Sequence, residues 1–131
     1  MQVLDILKEK GRDVVSTAPD VTILEAAKLL TKSRIGALLV LDRRGGLAGI
    51  ISERDIVHAL AEKAERSVAF TVGDYMTKNV AACMEADTVQ EVMDIMTRCR
   101  FRHMPVMDKG KLTGIVSIGD IAKTRFRSKP R

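Results

Sequence analysis

Two stretches carry the chemistry of this chain. Gly49-Ile-Ile-Ser52-Glu-Arg-Asp55 and Gly114-Ile-Val-Ser117-Ile-Gly-Asp120 share a glycine, two β-branched residues, a serine and an aspartate three residues on. Serine followed at i+3 by an acid, at the end of an apolar run, is the pattern of a helix start. The hydroxyl accepts a first-turn N–H and the carboxylate complements the helix dipole. The same geometry can serve a ligand. A helix start offers N–H groups and positive potential to an anion such as phosphate. Serine adds a donor, and an ionised aspartate accepts from two adjacent hydroxyls, as a ribose presents them. Glycine admits the close approach of backbone or ligand. Phosphate plus diol describes a nucleotide, so one copy fits a capped helix and a nucleotide grip alike.

Little else is equipped for catalysis. His58 and His103 are the only histidines, and neither has a motif partner for acid–base work. There is no Ser-His-Asp set, metal-ligand cluster or P-loop, so no enzyme activity and no catalytic cofactor is expected. Cys83 and Cys99 form no Cys-x-x-Cys pair and suit reduced, packed thiols. No apolar run approaches the roughly 18–20 residues of a membrane span, and Met1-Gln-Val-Leu-Asp5 lacks the regions of a signal peptide. A cytoplasmic protein without membrane insertion is the expectation. The net charge of +5 sits wholly in the tail: residues 1–121 hold 17 Lys/Arg and 17 Asp/Glu, and Lys123, Arg125, Arg127, Lys129 and Arg131 follow. A basic pI therefore does not imply a body that binds nucleic acid. The tail reads first as a solvated end whose charges complement a helix C-terminus.

The elements that position the two motifs are duplicated with them. Val14, Thr22, Glu25, Arg34, Val40 and Asp42 recur 66 residues later as Val80, Thr88, Glu91, Arg100, Val106 and Asp108. One residue is lost in the next turn, and Gly45, Ser52 and Asp55 recur 65 residues later as Gly110, Ser117 and Asp120. Val3, Asp5 and Leu7 are echoed by Val72, Asp74 and Met76. Thr22 and Thr88 are helix caps, followed by apolar residues at helical spacing. Gly36–Leu41 and His103–Met107 read as strands, with turns at Asp42–Gly46 and Asp108–Gly110 and return strands at Leu47–Ile51 and Leu112–Val116. Ser52 and Ser117 open second helices, and early strands near Val14-Val15 and Val80-Ala81 complete a β-α-β-β-α unit. The fold class is therefore α/β (α+β type), with two such repeats packed about a pseudo-two-fold axis. The expected divisions are residues 1–66, a linker at 67–71, residues 72–125 and a basic tail at 126–131. Each repeat is small for a lone core, so one shared core is expected.

These duplicated features together resemble a tandem pair of CBS domains (cystathionine β-synthase domains), a Bateman module of the stand-alone bacterial type. The residues carrying the resemblance are the two Gly-x-x-Ser-x-x-Asp motifs, the Asp42 and Asp108 turns, the Thr-x-x-Glu helix starts, Val72-Gly-Asp-Tyr-Met76 and Arg102-His-Met-Pro-Val106. The resemblance implies two clefts between the repeats that bind adenosine compounds: AMP, ADP, ATP, S-adenosylmethionine or NAD(H). By the family pattern one cleft uses Asp120, Ser117 and His103, with Val15, Ile35 and Gly36 from the first repeat. The other uses Asp55, Ser52 and Arg54, with Ala81, Phe101 and Arg102 from the second. Arg54 and Arg102 rank the Asp55 cleft first for a highly charged ligand. The resemblance also implies a homodimer and regulation of a separate protein.

The leading functional expectation is thus a regulatory sensor of adenine nucleotides, with AMP or ATP as the ligand. Two rivals come from other classes: a non-catalytic interaction scaffold with vestigial clefts, and nucleic-acid binding through the basic tail.

Overall fold

The structure, a computed structural model, describes the backbone of residues 1–127 and the side chains of residues 1–124. Most of the basic tail expected at 126–131 lies outside the described residues. The chain forms two compact units. The inner unit is the uninterrupted stretch Val14–Val80; the split unit joins Met1–Asp13 to Ala81–Arg131.

In the inner unit, β1 (Ser16–Thr17) leads to α2 (Ile23–Ser33), β2 (Ala37–Leu41), β3 (Leu47–Ser52) and α3 (Glu53–Lys63). A 3-10 helix (Ala64–Ala69) runs into the linker expected at 67–71, and the short α4 (Val72–Tyr75) follows it. The sheet order is β1-β2-β3, with β1 parallel and β3 antiparallel to β2. Thr22 caps α2 as expected, its hydroxyl accepting from Glu25 N at 3.2 Å. Ile23, Ala26 and Leu30 from one face of α2 pack on Leu38, Val40, Ile51 and Val72.

The split unit repeats this plan with α1 (Val3–Lys10), β4 (Cys83–Met84), α5 (Val89–Cys99), β5 (His103–Asp108), β6 (Lys111–Ser117) and α6 (Ile118–Arg127). Its sheet order is β4-β5-β6, with the same directions. The β5–β6 turn is the two residues Lys109-Gly110, both at positive φ (51° and 77°), as a tight hairpin requires. The longer β2–β3 turn is tied instead by Asp42 Oδ1, which accepts from Arg44 N and Gly46 N. That difference is the residue lost between the repeats. With few aromatics available, Val3, Ile6, Leu7, Val92, Met96, Met104, Val106, Val116 and Ile121 fill the core; methionine adapts to irregular space.

Two expectations need revision. The early strands are β1 and β4, two residues each and two to three positions later than Val14-Val15 and Val80-Ala81. Each unit buries a hydrophobic cluster of its own, where one shared core was expected. The compact units group the chain by contact and not by repeat. Residues 1–13 belong with 81–131, because Val3 N and Leu4 N donate to Asp87 O and Glu85 O (2.9 and 3.0 Å) and Val89 N donates to Met1 O (2.9 Å). The Arg12 guanidinium forks onto Glu85 at 2.6 and 3.1 Å. Residues 72–80 complete the inner unit in the same way. Val72 N donates to Val21 O, Gly73 N to Pro19 O, and Ile23 N to Phe70 O. The echo between Val3-Leu-Asp5 and Val72-Gly-Asp74 is thus an echo of role: α1 and α4 each close a unit whose sheet and helices come from elsewhere.

Candidate functional site

Each motif forms where a return strand turns into a helix. In the inner unit β3 ends at Ser52, which caps α3. Ser52 N donates to Asp55 Oδ2 at 2.8 Å, Ser52 Oγ to the same oxygen at 3.1 Å, and Asp55 N to Ser52 Oγ at 3.4 Å. Glu53 N donates to Gly36 O at 3.0 Å, and Ala37 is the cross-strand partner of Ser52. Gly36 therefore meets the Ser52–Asp55 pair of its own unit, whereas the family pattern assigned it to the cleft of Asp120. Arg54 is exposed in the first turn of α3. Val15 lies half-buried beside β2, its carbonyl accepting from Leu39 N at 3.3 Å. Ile35 is half-buried and bonded to the end of α2 through Leu30 O.

The split unit builds its copy from matching parts. Ser117 N donates to Asp120 Oδ2 at 2.8 Å, and Asp120 N to Ser117 Oγ at 3.1 Å. Ile118 N donates to Arg102 O at 3.0 Å, and His103 pairs across the ladder with Ser117. His103, Ser117 and Asp120 thus come together in one unit. Arg102 is exposed, and Phe101 is half-buried at the end of α5. Ala81 packs against the hydrophobic cluster. Arg98 and Arg100 are exposed at the end of α5, as charges near a helix C-terminus usually are.

Both motifs are therefore reciprocal caps, and in both the carboxylate stands half-buried at a helix N-terminus. The glycines have a third role beyond turn and ligand approach. A methyl group at Gly49 would meet Thr77 O at 2.6 Å, and one at Gly114 would meet Leu7 Cδ2 at 2.7 Å. Both neighbours come from the segments that close the units, so these glycines are packing residues.

One participant escaped the sequence reading. Lys10 Nζ, from the end of α1, stands 2.8 Å from Asp120 Oδ2 and donates to Ile115 O at 2.9 Å. Burial pushes the Asp120 carboxyl up, but Lys10 and the Ser117 bonds outweigh it and hold the group below its ordinary value. Asp120 and Lys10 line a cleft of about 310 Å³ with Ile6, Glu9, Lys123 and Thr124. Extending the Val3/Val72 echo three residues past Leu7/Met76 sets Lys10 against Asn79, which was the available signal. Among the described residues there is no cluster of three or more potential metal ligands and no helix long and apolar enough to cross a membrane.

Comparison with known proteins agrees with this architecture. The CBS domain family profile matches residues 3–62 and 72–126. A 17.7 kDa protein of Acidianus ambivalens is 44% identical over 106 residues, covering 80% of this chain. The chain spans only 63% of that relative's length. The crystal structure of the CBS-domain containing protein ATU1752 from Agrobacterium tumefaciens superposes with a TM-score of 0.92 at 48% identity, covering 95% of this chain and 92% of that one. The CBS domain pair of protein MJ0100, solved in complex with 5′-methylthioadenosine and S-adenosyl-L-methionine, superposes with a TM-score of 0.88 at 32% identity, covering 98% of each chain. On its two matched repeats and its two matching units, the chain belongs to the CBS domain family as a tandem pair.

Proposed function

We propose that this CBS pair is a non-catalytic regulatory sensor that binds adenosine-containing small molecules, AMP or ATP among them, through Ser52–Asp55 and Ser117–Asp120. The observation that carries the reading is the matched pose of the two carboxylates. Each is fixed at a helix N-terminus by its own serine amide, at 2.8 Å in both units. A diol is recognised by such a carboxylate and a phosphate by the positive end of the helix beside it. The MJ0100 pair, bound to two adenosine compounds, supports the ligand class. Arg54 and His103 lie next to these caps and supply further donors; Val15, Ile35, Gly36, Ala81, Phe101 and Arg102 remain the proposed wall residues. Bound ligand shifts the protein only by its differential affinity for two states, which is how a signal would reach a separate protein.

A thermal-shift screen with AMP, ATP, NADH and S-adenosylmethionine tests the reading. Ligand at 100 times Kd stabilises by about 2.7 kcal/mol. The shift should vanish in Asp55→Ala/Asp120→Ala. A shift that survives both substitutions sinks the assignment of these motifs.

One observation favours an added interaction role. Ile121 is core, but Val57 and Leu60, one turn apart on α3, are 62% and 49% exposed, and Val68 nearby in sequence is 41% exposed. We propose this face as the contact of a homodimer. Sedimentation of Val57→Lys/Leu60→Lys should show a monomer; an unchanged dimer removes that assignment.

A further inference from the structure

The two carboxylates share a pose but not their surroundings. Asp120 is matched by Lys10, whose side chain is 33% exposed against 17% for Asp120. Partial burial lessens the screening that makes exposed ion pairs weak. The inner unit fills the same place with backbone. There Ile50, the counterpart of Ile115, exchanges bonds with Thr77 at 3.0 and 2.9 Å, and the counterpart of Lys10 is the exposed Asn79. The first turn of α3 holds Glu53 and Asp55 against Arg54 alone, which leaves it negative; Asp120 with Lys10 is neutral. Glu9 and Lys123, on the same cleft as Asp120, add one charge of each sign. A nucleotide that rests its vicinal hydroxyls on either carboxylate brings its 5′-phosphate within about 8 Å, a Debye length at physiological salt, of that charge. Repulsion from the carboxylate then opposes binding unless a cation offsets it.

We propose that Lys10 is a specificity-determining residue of the Asp120 site: by neutralising the carboxylate it lets that site accept an adenosine compound carrying a 5′-phosphate, while the Asp55 motif disfavours that charge. This rests on the reading of Asp120 as the diol-holding group. It reverses the ranking drawn from Arg54 and Arg102, both of which are exposed.

Calorimetry in an Asp55→Ala parent, with adenosine and AMP as probes, decides the matter. Lys10→Gln removes the charge and keeps a donor for Ile115 O; Lys10→Met serves if that variant does not fold. AMP affinity should fall about tenfold, the scale of one unit charge about 8 Å away at an effective dielectric between that of a protein surface and water, with adenosine changed less than about twofold. Lys10→Arg should restore AMP binding. Equal losses for the two probes would show a merely structural role and overturn the proposal, as would no loss for either. Unchanged binding in Asp55→Ala/Asp120→Ala, or none in the parent, sinks the diol reading of Asp120 instead.

Discussion

Alanine at Gly49 should cost more stability than alanine at Gly114, and the reason is what the new methyl group meets. At Gly49 it lands 2.6 Å from the carbonyl oxygen of Thr77 and 3.0 Å from Met76 Sδ. That carbonyl accepts from Ile50 N at 3.0 Å, and Thr77 N donates back to Ile50 O at 2.9 Å. Moving Thr77 aside strains both bonds, so crowding of about 1–3 kcal/mol is joined by the loss of about one hydrogen bond, ~1 kcal/mol. The stiffer unfolded chain returns ~0.4–1 kcal/mol, leaving a net cost of about 1–3.6 kcal/mol. At Gly114 the nearest atoms are Leu7 Cδ2 at 2.7 Å and Cδ1 at 3.2 Å, on a side chain packed in the core, so the crowding is similar but no hydrogen bond is at stake. The cost is then about 1–3 kcal/mol of overpacking, less the same ~0.4–1 kcal/mol from the unfolded state. Urea denaturation followed by circular dichroism measures both variants, and hydrogen exchange assigns each loss to a unit. Leu7→Ala in the Gly114→Ala background should cost less than Leu7→Ala alone, normally about 2–5 kcal/mol. Met76→Ala should not rescue Gly49→Ala. If both glycine variants match the parent in stability without ligand, the packing role is wrong and the glycines serve only ligand approach.

Two further outcomes follow from the titrating groups. Burial pushes the Cys83 thiol up to about 12 and its Sγ donates to Pro105 O, while Cys99 is exposed; a thiol reagent should therefore label one cysteine quickly and the second only on unfolding, and fast labelling of both contradicts this. The Asp120 carboxyl is held below its ordinary value despite burial, by Lys10 and Ser117. Its contribution to stability is whole above the unfolded-state value and is lost as pH falls through the folded one. Lys10→Gln removes a lowering influence, so acid unfolding of the split unit should move to higher pH. Superimposable curves between about pH 5 and pH 2 would exclude the coupling.

What could be read from the sequence is what depends on local chemistry. The caps at Thr22, Thr88, Ser52 and Ser117 stand where hydroxyl and acid spacing put them, because each is settled within four residues. Strand pairing also followed, since the shared glycine and turn residues set the register of β2–β3 and β5–β6. Affiliation of the N-terminal helix was not legible. Val3, Ile6 and Leu7 have a plain amphipathic pattern, and nothing local says that they pack with Met96 and Val116 and not with their nearest neighbours in sequence. Lys10 was missed for the same reason: its partner is 110 residues away. The role of Gly114 depends on Leu7 and was hidden with it.

The division of the chain also orders its synthesis. The inner unit is contiguous, so all its strands and helices can pair once residue 80 has been made. α1 precedes that unit in the chain and docks on segments made after it. The partner of Val3 N is Asp87 O, 84 residues downstream, which at roughly 5–20 residues per second leaves Val3, Ile6 and Leu7 uncovered for several seconds. Closing so long a loop adds little to the equilibrium cost, because that cost grows only with the logarithm of length. The burden is kinetic: a chain cut short after residue 80 would leave α1 without β4, β5 and β6, the sheet of its own unit.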